Sequence, residues 1–546
     1  MRIRFPLFLI VVALLAPALS FAQADHHHPT ETLGSVNFST SCSSPAQPPV
    51  QSQFNRAVAL LHSFQFAHAI EAFNATLVTD PSCSIAYWGI ALSNWGNPFA
   101  AGLKPHAQLE QGLKAVEHAQ ATPPKTERER AYVEAVAHLF TDTASTDQRS
   151  RILAYESAMA AVSAAYPDDI EASIFYALSL AAAADPADKT YAKQLKAGAI
   201  LENLFAQYPN HPGLAHYIIH AYDVPPLAAR AVVAAHRYGE IAPTTPHALH
   251  MPSHTFTRVG DWQDSIDANI AAAAAARSDG QTGEELHASD YMVYAYLQTA
   301  QDSAAHHVVE SAVSIFSRHD PTVLLSGAAS PSTAYFAHAA IPARYCLERQ
   351  AWSDAAKLEP LPSPLPYADA ITYFARGLGA AHLKDRAATR AAIDSLEQMR
   401  DKLKKMKEGY WANQVEIQRQ EVSAWLAFAE GDRQGALAGM RAAAEMEDKT
   451  EKNAITPGPL APARELLGEM LLELKRPAEA LKEFEATLTK EPNRFRSLYG
   501  AAEAAKQAGD RQAAQTYFQK LLKVAERADK PGRQELAEAR SETRPE

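Results

Sequence analysis

The sequence predicts an all-α superhelix built from roughly twelve helical hairpins, and three observations point to it. Ala480 and Ala514, like Phe484 and Phe518, recur 34 residues apart, with Gly468 and Pro492 at matching offsets. No run alternates apolar and polar residues for long enough to form a strand. At 546 residues the chain also exceeds the roughly 250–300 residues that one hydrophobic core supports, so it is several domains or a repeat array. Its 47% apolar and 21% charged content is that of folded protein. With 51 Lys and Arg against 62 Asp and Glu, the net charge of −11 argues against a sequence-independent nucleic-acid binder, which needs surplus cations.

In chain order, residues 1–24 read as a Sec signal peptide. Arg2 and Arg4 precede an apolar run from Phe5 to Leu19, and Ala22-Gln23-Ala24 is a small-x-small cleavage site. A membrane anchor is the alternative, opposed by the short apolar core. The product is expected to be periplasmic or secreted, with no later membrane span. Residues 25–49 form a histidine-containing leader that includes Cys42. Cleavage after Ala24 would place His27 third from a free amine in Asp25-His26-His27-His28, a square-planar arrangement for Cu(II) or Ni(II); cleavage after Ala22 would remove it. An oxidising compartment favours a Cys42–Cys83 disulfide with Cys346 buried and free, the alternative being two unpaired buried thiols. No C-x-x-C pair supports a thiolate metal site.

Residues 50–209 hold the first repeats, marked by Ala69, Phe73 and Pro81, then by Pro124, Pro167 and Pro209 at helix ends, with insertions at Asn97–Pro105 and Asp185–Lys189. A small residue is needed where two helices cross closely, and proline stops a helix because it has no N–H to donate. Residues 210–320 are the central repeats, with Pro243 34 residues after Pro209. Gly379 with Ala391, and Gly431 with Ala436 and Met440, mark units within residues 321–528. Residues 529–546 form a charged tail with no buried stripe, expected to fray.

This pattern resembles the tetratricopeptide-repeat (TPR) superfamily over most of the chain. The stretches Phe38-Ser39-Thr40-Ser41-Cys42, Leu60-Leu61-His62-Ser63-Phe64, Asp80-Pro81-Ser82-Cys83 and Tyr87-Trp88-Gly89 resemble secreted bacterial members of it. The resemblance implies a right-handed solenoid whose first helices line a concave groove that holds a peptide or partner protein. It implies no particular activity.

The most informative local feature falls on those first helices. With helices starting at Pro212 and Pro246, His216 and His250 share repeat position 5, and His220 and His254 share position 9. Residues four apart occupy one helical face, so four imidazoles are expected to face one space. His247, Asp223 and Arg258, followed by His287, Asp290 and Tyr294 of the next unit, are the expected ligand-binding neighbours in a polar pocket. Imidazoles from packed helices can converge on Zn, Cu, Ni or Fe. Two other readings remain open: histidines bonded to one another, Tyr217, Tyr222 and water, or histidines contacting an anionic peptide or small ligand. Pro252 kinks this helix or starts it anew, which leaves the helical placement of His250 undetermined.

H-E-x-x-H, G-x-S-x-G, P-loop and dinucleotide glycine motifs are all absent. Trp88 and Trp95 at helical spacing read as packing rather than a stacking wall. The functional expectation is an exported repeat scaffold binding a peptide, protein or small ligand beside a histidine pocket. The alternative is a metal-dependent hydrolytic or oxidative enzyme using the same histidines.

Overall fold

The computed structural model describes residues 31–44, 49–100 and 102–544. The expected signal peptide and the Asp25–His28 run lie outside them. From Thr32 onward the chain is one unit, and no β-strand occurs among the described residues. Its helices pair along the chain into twelve antiparallel hairpins, from Val50–His62 with Phe66–Thr79 to Phe495–Gln507 with Arg511–Val524. The repeat markers explain the pairing. Ala69, Phe73, Ala436, Met440, Ala480, Phe484 and Phe518 are fully buried on second helices, where the template puts interhelical contacts. Trp88 and Trp95 are buried as well, Trp88 among the rings of Phe38, Tyr132 and Phe175.

Close helix crossings rest on missing side chains. A Cβ at Gly468 would lie 2.8 Å from the Phe484 ring, and one at Gly500 only 2.4 Å from it, so a single aromatic wedges between two first helices. Gly89 stands in the same relation to Phe73. At the expected interhelix turn, Gly260 has φ +77°, and a Cβ there would meet the Pro492 carbonyl oxygen at 2.5 Å.

The superhelix folds back upon itself. The Trp262 indole N–H donates to the Asn493 carbonyl at 2.9 Å, and the Asp529 N–H donates to that of Ala300 at 3.1 Å. Buried Arg494 joins Glu348 and Glu465 and donates to the Tyr294 hydroxyl. Elements 200 residues apart in sequence are thereby clamped by charge-assisted hydrogen bonds. Residues 319–330 and 450–462, outside the helices, run across first helices of the central repeats.

Cys42 and Cys83 form a disulfide across a separation of 41 residues, and Cys346 is free and buried. The tail corrects an expectation: Gln534–Glu542 is a helix, not a frayed end. Leu536 and Ala539 are fully buried with Phe518 and Leu521. Glu535 and Glu538 pair with Arg496 and Lys506. Two apolar residues three apart are enough of a stripe when a neighbouring helix face awaits them.

Two stability outcomes follow. Cys42→Ser with Cys83→Ser should lower unfolding free energy by about 4 kcal/mol on the chain-entropy estimate, read as a lower urea midpoint. Gly500→Ala should lower it by about 1–3 kcal/mol, because the buried Phe484 ring has nowhere to retreat; an unchanged midpoint would contradict the wedge.

Candidate metal centre

Three first helices meet here: Pro212–Ala221, the kinked pair Pro246–His250 and Pro252–Val259, and Thr282–Gln298. Proline at the first helical position starts the first two, where a missing N–H costs nothing. At Pro252 the chain keeps a helical path through Met251 (φ −54°, ψ −35°). Met251 N–H donates to the His247 carbonyl, and His254 N–H to that of Met251. His250 is therefore helical, and the kink leaves it beside His254.

The histidines assemble into two triads. His216, His220 and His247 form one, His250, His254 and His287 the other, and within each the candidate ligand atoms lie within 4.8 Å of one another. The expected grouping is redrawn accordingly: His247 and His287, assigned to ligand binding, sit among the other imidazoles. All six are buried, with at most 9% exposure, at His220. The expected polar pocket is thus sealed from solvent. The Asn97–Pro105 insertion lays Phe99 flat on His220, ring centroids 4.0 Å apart. Ala329 N–H donates to Glu284, whose carboxylate lies 3.8 Å from His247 Nδ1. Tyr291 OH, beside His254, donates to the Ala454 and Thr456 carbonyls.

Ring tautomers can be read from the surroundings. Asn269 donates its amide hydrogen to the Ser265 carbonyl at 2.7 Å, which turns Oδ1 toward His250 Nδ1, 2.6 Å away. That Nδ1 must carry the proton. His254 Nδ1 faces the Asp223 carboxylate at 3.0 Å and must carry one too. The Nε2 atoms of both rings then bear lone pairs, and they face each other at 3.1 Å. In the other triad His216 Nδ1–H donates to the His62 carbonyl at 2.6 Å, and its Nε2 lies 3.1 Å from His247 Nε2. His220 Nε2 and the Nδ1 atoms of His247 and His287 have no hydrogen-bond partner.

Burial, reinforced by neighbouring imidazoles, pushes His216, His220 and His250 well below the usual histidine range. Burial lowers His287 to about 3 and His254 to about 4, the latter despite the opposing pull of Asp223. Neutral imidazoles are the form that binds metal. Nitrogens sharing an ion at 2.0–2.1 Å are roughly 2.9–3.4 Å apart for angles of 90–109°. Both 3.1 Å pairs fall in that window.

Asp223 lies just beyond its helix, not at a helical groove position. Burial opposes its charge, yet Lys452, Arg258 and the His254 N–H hold its carboxyl well below the usual range. Arg258 donates to it at 2.8 Å, and Lys452 lies 3.3 Å away. Two expected site residues are engaged elsewhere. Asp290 is bound by Arg344 at 2.7 Å, and the Tyr294 hydroxyl lies between Glu491 and Arg494. Their helical positions match the template, but cationic side chains from later repeats claim them. Residues the sequence reading did not single out are Asn269, Lys452 and Phe99. His62 was quoted only within the family resemblance.

A third group, His62, Glu171 and His211, is a hydrogen-bonded buttress. Glu171 accepts from both Nε2 atoms at 2.9 and 3.0 Å, and Tyr217 OH donates to His62 Nδ1 at 3.0 Å. With both its ring nitrogens engaged, His62 holds His216 through its carbonyl.

Arg258 and Lys452 also line a cleft of about 120 Å³ with Phe336, Tyr367, Trp411 and Glu447. The Tyr367 and Trp411 rings stack at 4.1 Å.

No family model and no curated protein matches the sequence. Solved structures similar to the chain include Cut9 with Hcn1 from the APC/C, at 12% identity over 90% of each chain and TM-score 0.33. Yeast Tom70 is 12% identical over 90% of this chain and 88% of its own, TM-score 0.28. Ypp1 is 9% identical over 88% and 81%, TM-score 0.45. At these values the likeness says nothing about ligand or activity. The helical-hairpin repeat fold that the TPR-like spacing predicted stands on the chain's own twelve hairpins.

Burial raises the Glu447 carboxyl, and burial together with Glu447 raises Glu421. A raised carboxyl contributes stability that is complete below its unfolded value of about 4.3 and lost as pH rises through the folded value. Glu447→Gln should therefore unfold at higher urea than the parent at pH 8, the difference closing toward pH 4. A constant difference across that range would rule out titration of Glu447 as its source.

Proposed function

We propose that this protein is an exported helical-repeat scaffold that holds a transition metal in its buried histidine cluster. The observation that carries the reading is the His250–His254 pair. Two neutral rings, each with its Nδ1 proton committed, present lone pairs to one another at 3.1 Å. Such a contact is repulsive as it stands and becomes attractive when one cation lies between the nitrogens. The partners of those Nδ1 protons, an amide oxygen and a carboxylate, are what metal-bound histidines ordinarily have. All-imidazole donors suit Zn, Cu, Ni or Fe. Export is supported by the leader-like residues 1–24 and by the Cys42–Cys83 disulfide, a bond at home in oxidising compartments.

A second component of the reading concerns a partner. The cleft carrying Tyr367, Trp411 and Phe336 offers aromatic faces beside Arg258 and Lys452, chemistry that suits a peptide with apolar side chains. Because Arg258 and Lys452 also hold Asp223, such a peptide would touch the support of His254. No helix among the described residues is long and apolar enough to cross a membrane. Hydrolytic or oxidative chemistry at the same histidines is the alternative activity.

Elemental analysis tests the metal. Chain carrying His26→Ala, His27→Ala and His28→Ala, reconstituted separately with Zn, Cu, Ni and Fe and then desalted, should retain at least one equivalent of one of them. Less than about a tenth of an equivalent with all four would overturn the reading. His254→Ala, which removes a ligand, should cost the ion it holds, and Asp223→Asn should weaken binding roughly 10–100-fold, with helical circular dichroism retained in both.

A further inference from the structure

We propose that the six histidines form a dinuclear copper centre, with one ion held by His216, His220 and His247 and a second by His250, His254 and His287. This rests on the metal reading above and deepens it from a site to a pair of sites. The donor atoms themselves support two ions. Each triad contains its own Nε2 pair at 3.1 Å, His216 with His247 and His250 with His254. Each also has a third ring, one nitrogen of which lies within 4.8 Å of that pair. Nitrogens without a hydrogen-bond partner occur in both triads, His220 Nε2 and His247 Nδ1 in one and His287 Nδ1 in the other, all in buried rings. An approach of about an ångström by each third ring completes three-coordinate geometry at 2.0–2.1 Å.

The two triads are contiguous. His220 and His254, one from each, have ring centroids 6.2 Å apart, and His247 and His250 are 6.1 Å apart. His247 and His250 are three residues apart on one helical turn and each triad takes one of them, so the two sites adjoin.

The charges of the pocket narrow the metal. Asp223 is matched by Arg258 and Lys452, which leaves Glu284, 3.8 Å from His247, as the facing carboxylate without a cation. Two divalent ions would bring four positive charges into a dry interior with one carboxylate to meet them, a heavy desolvation cost. Two univalent copper ions halve that charge, and imidazole is a copper ligand. When both ions are divalent, a small anion such as hydroxide or azide lowers the excess positive charge by one.

The test uses full-length chain with His26, His27 and His28 replaced by Ala, loaded with Cu(I) without oxygen and then passed over a desalting column. Two copper equivalents per chain are expected. His216→Ala and His250→Ala should each retain one, and the double variant none. His216→Gln and His250→Gln keep a polar side chain in the same space should an alanine variant fail to fold. A second readout needs no variant: loaded with Cu(II) and azide, the parent should show paramagnetic resonance intensity well below its copper content, because neighbouring Cu(II) ions couple. One-site variants should show full intensity for their single ion. One equivalent in the parent, or two with uncoupled spectra, overturns the dinuclear proposal and leaves the metal reading standing. No copper in the parent, with Zn, Ni and Fe retained at one equivalent, also overturns the pair alone; no metal of any kind overturns both.

Discussion

Neutral imidazole nitrogens that both carry lone pairs repel at 3.1 Å, and the protein holds such a pair, His250 and His254, in its interior, beside a second Nε2–Nε2 contact at 3.1 Å between His216 and His247. What enforces them is the assignment of the opposite ring nitrogens. Asn269 takes the His250 proton, Asp223 that of His254, and the His62 carbonyl that of His216. Those acceptors are themselves fixed. Ser265 orients the Asn269 amide, Arg258 and Lys452 hold Asp223, and Glu171 with Tyr217 secures the His62 ring. Burial removes the easy escape of protonation, because a charged imidazolium has little water to solvate it there.

That burial is a product of how the repeats close. An open solenoid presents its first helices to solvent, whereas the first helix Pro212–Ala221 is buried along its whole length. The insertion at Asn97–Pro105 and the segments 319–330 and 450–462 lie over the histidine helices. Arg344 ties Asp290 to the Gly458 carbonyl, and Arg494 gathers Glu348, Glu465 and Tyr294. Each of these arginines is nearly inaccessible to solvent, so removing either would strand a buried carboxylate. The closure thus makes the interior dry and rigid at the point where the histidines meet.

Much of this was legible one residue at a time. The 34-residue spacing of Ala480 with Ala514 and Phe484 with Phe518 reports helical hairpins, because a small residue and an aromatic are required wherever successive helices cross. The phase of His216 and His220 with His250 and His254 placed four rings near one another, since residues four apart share a helical face. The division into triads was not legible, because it depends on which way each ring turns to reach its Nδ1 partner. Asp290 and Tyr294 occupy template positions equivalent to those of useful groups, yet Arg344 and Arg494 arrive from 54 and 200 residues away to claim them. The tail helix was missed because Leu536 and Ala539 have meaning only against Phe518 and Leu521.

The sequence alone determined the class of fold, the hairpin period and the gathering of histidines on consecutive first helices. All are consequences of spacing along the chain, which periodic helices convert directly into direction. Tertiary structure decided that the histidines are sealed from solvent, that His247 and His287 complete two triads, and that Asn269, Asp223 and His62 assign the ring protons. Those outcomes come from segments that return from afar to cover a surface. A repeat template states where a side chain points, but not what the rest of the chain will place in front of it.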